Sequence, residues 1–342
     1  MQVSTIGLDL GKRVFQVHGV DAAGTIVVSK RLRRGEVLGF FGGLGPCVVG
    51  MEACGSAHYW ARELAALGHE VRLMAPSYVK PYVKRGKNDA ADAAAICEAV
   101  RRPSMRFVAI KTADQQGVLV LHRARELLVR QRTMLVNALR AHLAEFGIVA
   151  RRGHGGVEEL VEALAADGDG LPAPARAGLA ALIRQLRTSE AEIKTLGREI
   201  DAWHRATPAS RRLATIPGIG PITASALVAT VGDGGQFESG RHLAAWLGMV
   251  PRQNSTGGRT RLGRISKQGD RYLRRLLVIG ATALLRHGGR RAELGGDWVE
   301  ELLARRPKRL VSVALANKMA RIAWAVLTRG EPFRPRAVAG AR

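Results

Sequence analysis

Apolar residues recur at two different periods along this chain, and the change of period divides it. Residues 3 to 30 read as three strands. Val14, Val17 and Val20 flank one β run, Asp21-Ala22-Ala23-Gly24 supplies a turn, and Thr25-Ile26-Val27-Val28 resumes. Residues 47 to 52 form a continuous apolar run of the buried-strand type, ending on Glu52. Residues 56 to 67 switch to helical spacing, with Tyr59, Trp60, Leu64 and Leu67 on one stripe and Gly68 as a stop. Val71-Arg72-Leu73-Met74 is a further strand, closed by Ala75-Pro76-Ser77. A β-meander followed by alternating helix and strand predicts a mixed α/β domain over 1–110.

Beyond it the pattern is almost wholly helical. Residues 113 to 147 lack proline and hold, before the final Gly147, one glycine, Gly117, near the start. Leu121, Leu128, Leu135, Leu139 and Leu143 recur at helical or heptad-like spacing, with Arg123, Arg125, Arg130, Arg132 and Arg140 between them. This predicts a long amphipathic helix ended by Gly147, its apolar stripe packed on a partner helix within the chain or across a dimer. Glycines and prolines from Gly153 to Pro174 mark a linker or small helical insert. A second long helix over 175–205 carries Leu179, Leu182, Ile183, Leu186, Ile193, Leu196 and Ile200 and is expected to return antiparallel to the first. These elements make a coiled-coil region over 111–208.

A third, mainly α region over 209–330 opens with Thr215-Ile216-Pro217-Gly218-Ile219-Gly220-Pro221, the pattern of a helix-hairpin-helix. Gly218 and Gly220 would let backbone N–H groups approach a phosphate. Leu243 to Leu247 read as helix, Pro251 to Arg261 as a polar, arginine-rich loop, and Lys267-Gln268-Gly269-Asp270-Arg271 as the opening of a further helix with Ser266 as a candidate N-cap. A last helix covers about 309 to 328, and 331–342 is a basic tail.

Charge narrows the partners. The 342 residues suffice for two or three domains, and the 46% hydrophobic fraction supports packed cores rather than a disordered basic protein. Net charge is +24 and the isoelectric point about 11.3. From Arg259 to Arg342 stand 20 Lys and Arg against 6 Asp and Glu. Arginine-dominated surfaces with few acids suit phosphate, so nucleic acid is the expected partner. Cys47, Cys54 and Cys97 lack CxxC spacing, which predicts a reducing compartment and no zinc site. No charged-then-apolar leader opens the sequence and no apolar run approaches about 18 residues, so a cytoplasmic location is expected.

Against this charge, four acids stand out. Asp9 lies in the first strand run, Glu52 ends the apolar run at 48–52, and Asp89 and Asp92 share one face of a helix start in Lys87-Asn88-Asp89-Ala90-Ala91-Asp92. Alone, Asp89 and Asp92 fit a first helical turn favoured by the macrodipole. Together with a first-strand and a fourth-strand acid they make the ribonuclease-H-like arrangement, a carboxylate cage for one or two Mg²⁺ ions. Ser255 is the candidate nucleophile. It precedes Thr256 and two glycines, and Arg252, Arg259 and Arg261 could stabilise charge on an attacked phosphate. Arg252, Arg259, Arg261, Lys267, Arg271, Arg274 and Arg275 are the candidate phosphate contacts, with Gly218 and Gly220 of the hairpin. The histidines show no metal-ligand spacing.

Five motifs occur here in one order: Gly7-Leu8-Asp9-Leu10-Gly11-Lys12, Met51-Glu52-Ala53-Cys54-Gly55, Lys87 to Ala93, Ile216 to Gly220, and Gly248 to Gly258. In this the chain resembles the DEDD transposases of the IS110 type, more closely their IS1111 branch, over roughly residues 3 to 330. The resemblance implies a RuvC-like N-terminal domain, a coiled-coil middle and a C-terminal transposase domain with a serine nucleophile. It places Asp9, Glu52, Asp89 and Asp92 in the DEDD set and Ser255 at the nucleophile, with Thr256 as the neighbouring alternative. It also implies a structured noncoding guide RNA, DNA partners at the element ends and the target, and a homo-oligomer, dimer or tetramer. Serine and cage fall in different regions, so a composite site, within a chain or between protomers, is expected. The rival enzyme reading is a RuvC-like junction-resolving nuclease that uses water. A sugar kinase or ATPase would need glycine-rich nucleotide loops that the sequence lacks, and a non-enzymatic binding protein leaves the four acids unexplained.

Overall fold

β-Branched and aliphatic residues at alternating positions pair the N-terminal strands as their pattern requires. The computed structural model describes residues 2–84, 86, 88–151, 153, 155–166, 170–287 and 292–335. Most of the expected basic tail, 336–342, therefore lies outside the described residues. The chain divides into two units, Met1–Gln116 with Gly234–Glu238, and Gly117–Asp233 with Ser239–Arg342.

In the first unit β1 (Thr5–Asp9) pairs antiparallel with β2 (Val14–Val20), and β2 with β3 (Ile26–Arg33). The chain continues through α1 (Val37–Gly42) into β4 (Val48–Glu52), which lies parallel to β1 on its other side. After α2 (Ala57–Ala66), β5 (Glu70–Met74) adds parallel to β4. Then follow α3 (Pro76–Val79), α4 (Asp89–Val100) and a two-residue antiparallel strand, β6 (Phe107–Val108). The sheet order is β3-β2-β1-β4-β5-β6. Alternate residues face opposite ways. Ile6, Leu8, Val49 and Met51 enter one core with Trp60 and Leu64 of α2. The other face receives α4.

Gly7 and Gly50 allow α4 to lie this close. They are register partners in β1 and β4. A Cβ on Gly7 would fall 2.1 Å from the Ala93 carbonyl oxygen, and one on Gly50 2.8 Å from the Val100 Cβ. The N-terminal α/β domain with a mixed central sheet is thus as expected. The short elements α1, α3 and β6 were not anticipated, because each is too brief to show a period.

The second unit is mainly helical. α5 (Ala113–Ala144), α6 (Gly155–Ala166) and α7 (Ala173–Ala206) correspond to the two predicted long helices and the small insert between them. Val118 and Leu119 cluster with Trp203, and Leu139 and Leu143 with Leu179 and Leu186, so α5 and α7 run antiparallel. α8 (Pro208–Leu213) and α9 (Pro221–Val231) flank a tight turn, and α10 (Gly240–Trp246) follows. The predicted arginine-rich loop is a two-stranded ribbon, β7 (Pro251–Gln253) and β8 (Leu262–Ile265). α11 (Arg271–His287), α12 (Gly296–Arg305) and α13 (Lys308–Arg329) complete the unit. By length and composition α13 could cross a membrane. Its Val311, Leu315, Met319 and Ala323 are instead fully buried, and the helix packs on α10 and α11.

Candidate active site

The register of the sheet places the two strand acids side by side. Leu8 pairs with Met51, so Asp9 and Glu52 end adjacent parallel strands. Asp9 lies two residues after Gly7 and Glu52 two after Gly50, so both side chains leave the face that α4 covers. Ala93 packs on Gly7, which brings the start of α4, with Asp89 and Asp92, to the same end of β1. Asn88 fixes that start. Its side chain accepts a hydrogen bond from the Ala91 N–H at 2.8 Å, a standard N-cap. Cys54, an exposed residue, also lies here, and partial desolvation of its thiol together with the charges of Glu52 and Asp9 raises its pKa.

Three elements therefore deliver four acids to one end of the domain, but the side chains do not close into the expected cage. Among the described residues no three His, Cys, Asp or Glu side chains form a metal-binding group. Near the start of α4 the guanidinium of Arg31, on β3, lies 3.8 Å from the Asp89 carboxylate. Arg31 pairs with Gln16, and Gln16 with Asp9, which sets Arg31 two strands, roughly 10 Å, from Asp9. Asp89 thus shares an exposed ion pair, of the kind worth little in water, with a residue of the strand two away from β1. The all-carboxylate donor set itself suits a hard cation.

Ser255 sits near the tip of the β7–β8 ribbon. The tip is Gly257-Gly258, both left-handed at φ 53° and 75°, which a two-residue primed hairpin demands of its central residues. The ladder continues above the strands, with Thr256 and Arg259 exchanging backbone hydrogen bonds. The Ser255 hydroxyl oxygen accepts from the Arg261 N–H at 3.1 Å, so its own proton remains available to donate. Ser255, Thr256, Arg252, Arg259 and Arg261 are all exposed. Ser266 does not cap α11. Asp270 does, accepting from the Leu273 N–H at 2.9 Å.

The remaining predicted contacts separate into two groups. Gly220 is exposed, with nothing within 4 Å of where a Cβ would stand, and Lys267 and Arg271 are exposed as well. Gly218 instead turns inward at φ 81°, where a Cβ would fall 2.8 Å from Leu284 and 2.9 Å from Met319. Arg275 pairs with Glu126 at 3.0 Å and stacks over Tyr272. Arg274 donates to two backbone carbonyls, of Leu247 and Gln268.

A buried network in the same unit was not foreseen. His122 of α5 is 1% exposed, with Nδ1 3.0 Å from the Tyr272 hydroxyl of α11 and Nε2 3.0 Å from the Ser225 hydroxyl of α9. Ser225 in turn donates to the Pro221 carbonyl at 2.7 Å. Burial, helped by Arg125, lowers the His122 pKa to about 4, and burial raises that of Tyr272 to about 12. No motif marks such a network, since its three members lie more than a hundred residues apart in places.

Comparison with known proteins assigns the family. A model described as the Transposase IS116/IS110/IS902 family matches residues 210–294, spanning the hairpin and the ribbon, and a DEDD transposase model of the IS110 type matches residues 6–148, spanning all four acids. A Pseudomonas aeruginosa protein named Probable family 20 transposase is 54% identical over 98% of this chain and 100% of its own length. The chain belongs to the IS110 family of transposases. The transposase for IS1328 of Yersinia enterocolitica is 43% identical over 97% of this chain and 98% of its own length. That for IS1111A of Coxiella burnetii is 41% identical over 97% and 92%. As an IS110-type transposase the chain is an enzyme of DNA cleavage and rejoining.

Proposed function

We propose that this transposase cleaves and rejoins DNA through a covalent serine intermediate, with Ser255 as the nucleophile and Asp9, Glu52, Asp89 and Asp92 as ligands of one or two Mg²⁺ ions. The observation that carries the reading is the ribbon: a serine with its proton available, set beside a left-handed Gly-Gly tip and among arginines, all exposed. The Ser255 Oγ would attack the phosphorus, and its proton would pass through solvent to the departing DNA oxygen. The P–O bond to the departing DNA oxygen would break, and the new phosphoserine ester would keep the bond energy for rejoining. Arg252, Arg259 and Arg261 would stabilise the charge gathered on the phosphate oxygens. When bound, Mg²⁺ would add Lewis-acid polarisation of the phosphate and help acidify the hydroxyl. Asp9 and Glu52 would anchor it, with Asp92 and a reoriented Asp89 completing the set.

The substrates would be the element ends and the target, met by Gly220, Lys267, Arg271 and the ribbon arginines. A structured guide RNA is the further partner, for which the net charge of +24 leaves ample basic surface. The active form would be a homo-oligomer, dimer or tetramer, working in the cytoplasm. A RuvC-like nuclease using water would retain the acids but give Ser255 no task.

The test is a variant panel assayed for strand cleavage and for DNA and RNA binding. Asp9→Asn and Asp92→Asn should abolish cleavage while binding stays near wild type, since amides ligate Mg²⁺ poorly. Ser255→Ala should bind and respond to Mg²⁺ but form no covalent species. Normal recombination by either Asp variant would reject the metal assignment.

A further inference from the structure

The ribbon leaves the body of its unit through a neck made of Leu247–Val250 on one limb and Ser266–Gly269 on the other. The backbone there is unusually constrained. Gly248 is at φ 70°, and a Cβ on it would lie 2.2 Å from the Gln268 carbonyl oxygen. Gly269 is at φ 71°, and a Cβ there would lie 1.8 Å from the Trp246 carbonyl oxygen. Lys267, at φ 56°, is the one non-glycine among the described residues with positive φ. The limbs are joined by the Ser266 N–H donating to Val250 at 2.8 Å and the Lys267 N–H to Gly248 at 3.0 Å.

Two helix side chains grip this neck. Nη1 of Arg274, on α11, donates at 2.8 Å to the Leu247 carbonyl and at 2.8 Å to the Gln268 carbonyl, one on each limb. Nδ2 of Asn317, on α13, donates at 3.1 Å to the Met249 carbonyl. A ribbon of so few residues, with no sheet beneath it, has little stiffness of its own. Its direction is set where it is held.

We propose that Arg274 and Asn317 are positioning residues for the transposition reaction: they clamp both limbs of the neck and thereby fix the line along which the ribbon presents Ser255 to the phosphodiester. The inference rests on the reading of Ser255 as the nucleophile. It moves Arg274 from the set of phosphate contacts to the scaffold behind the nucleophile. In-line attack tolerates small errors only, and a displacement of about 1 Å costs on the order of a hundredfold in rate.

The experiment is single-turnover formation of the covalent protein–DNA species by the full chain, with any co-purifying RNA, at a series of DNA and salt concentrations. Arg274→Ala and Asn317→Ala should each lower the saturating rate by at least about tenfold, with half-saturating DNA and the salt slope unchanged. Arg271→Ala, on the exposed side of the same helix, should act through binding instead, raising half-saturating DNA and flattening the salt slope. If Arg274→Ala fails to fold, Asn317→Ala, which removes one hydrogen bond, still decides. Behaviour of Arg274→Ala like that of Arg271→Ala, or wild-type saturating rates in both clamp variants, would overturn the proposal. An adduct that persists in Ser255→Ala would overturn the nucleophile reading itself, a result distinct from loss of the adduct in Ser255→Ala with intact rates in the clamp variants.

Discussion

One imidazole ties three helices of the second unit together. With the Tyr272 hydroxyl donating to Nδ1, the Nε2–H of His122 donates to Ser225, and Ser225 to Pro221, so every polar atom in the chain of hydrogen bonds is used by a neutral histidine. The neutral form carries a consequence for stability. In the unfolded chain the histidine titrates near 6.5, and in the folded chain near 4. Above pH 6.5 both states are neutral and nothing is lost. As pH falls from 6.5 toward 4 the unfolded state takes up the proton first, and stability declines by up to about 3 kcal/mol from this group. His122→Gln should flatten that part of the profile relative to wild type. Urea midpoints of both proteins between pH 4 and 7 check it, and parallel profiles would show that His122 titrates normally. His18 and His204, also lowered by burial, contribute equally to both proteins and cancel in the difference.

At the scale of elements, the turn between α8 and α9 shows two glycines with opposite tasks. Gly218 is left-handed and packed on Leu284 and Met319, so Gly218→Ala should destabilise the unit by roughly 1–3 kcal/mol. Gly220 has extended backbone and open space, so Gly220→Val should melt like wild type yet bind nucleic acid more weakly if this turn meets phosphate. Melting curves and binding isotherms of the two variants separate these effects, and wild-type binding by Gly220→Val would make the turn purely structural. The sequence shows that a Gly-Ile-Gly turn is present but not which glycine faces inward, because that depends on α11 and α13, some sixty to a hundred residues away. The same limit explains the other differences. Long helices such as α5 and α7 announce themselves by repeated leucines. The β7–β8 ribbon does not, because its strands of 3 and 4 residues are exposed on both faces and have no apolar alternation. The acids were legible from their strand and helix contexts, whereas the ion pair of Asp89 with Arg31 depends on strand register, which the pattern alone leaves open.

On the scale of the whole molecule, the proposed reaction draws on residues of both units. The first gathers carboxylates where α4 crosses β1 and β4, over paired glycines. The second supplies a braced ribbon with a hydroxyl at its tip and a strongly basic surface around it. The family assignment fits both halves, since its two models match the stretches that hold the acids and the serine. What distinguishes a serine mechanism from hydrolysis by water is a covalent bond between protein and DNA. Trapping the reaction part-way with Mg²⁺ and a substrate DNA, digesting the protein, and locating the nucleotide-bearing peptide by mass spectrometry reads that bond directly. The serine mechanism puts the modification on Ser255. A modification on Thr256 or on Tyr272, whose hydroxyl is held by His122 with a pKa near 12, or normal strand exchange with no modified peptide at all, would contradict it.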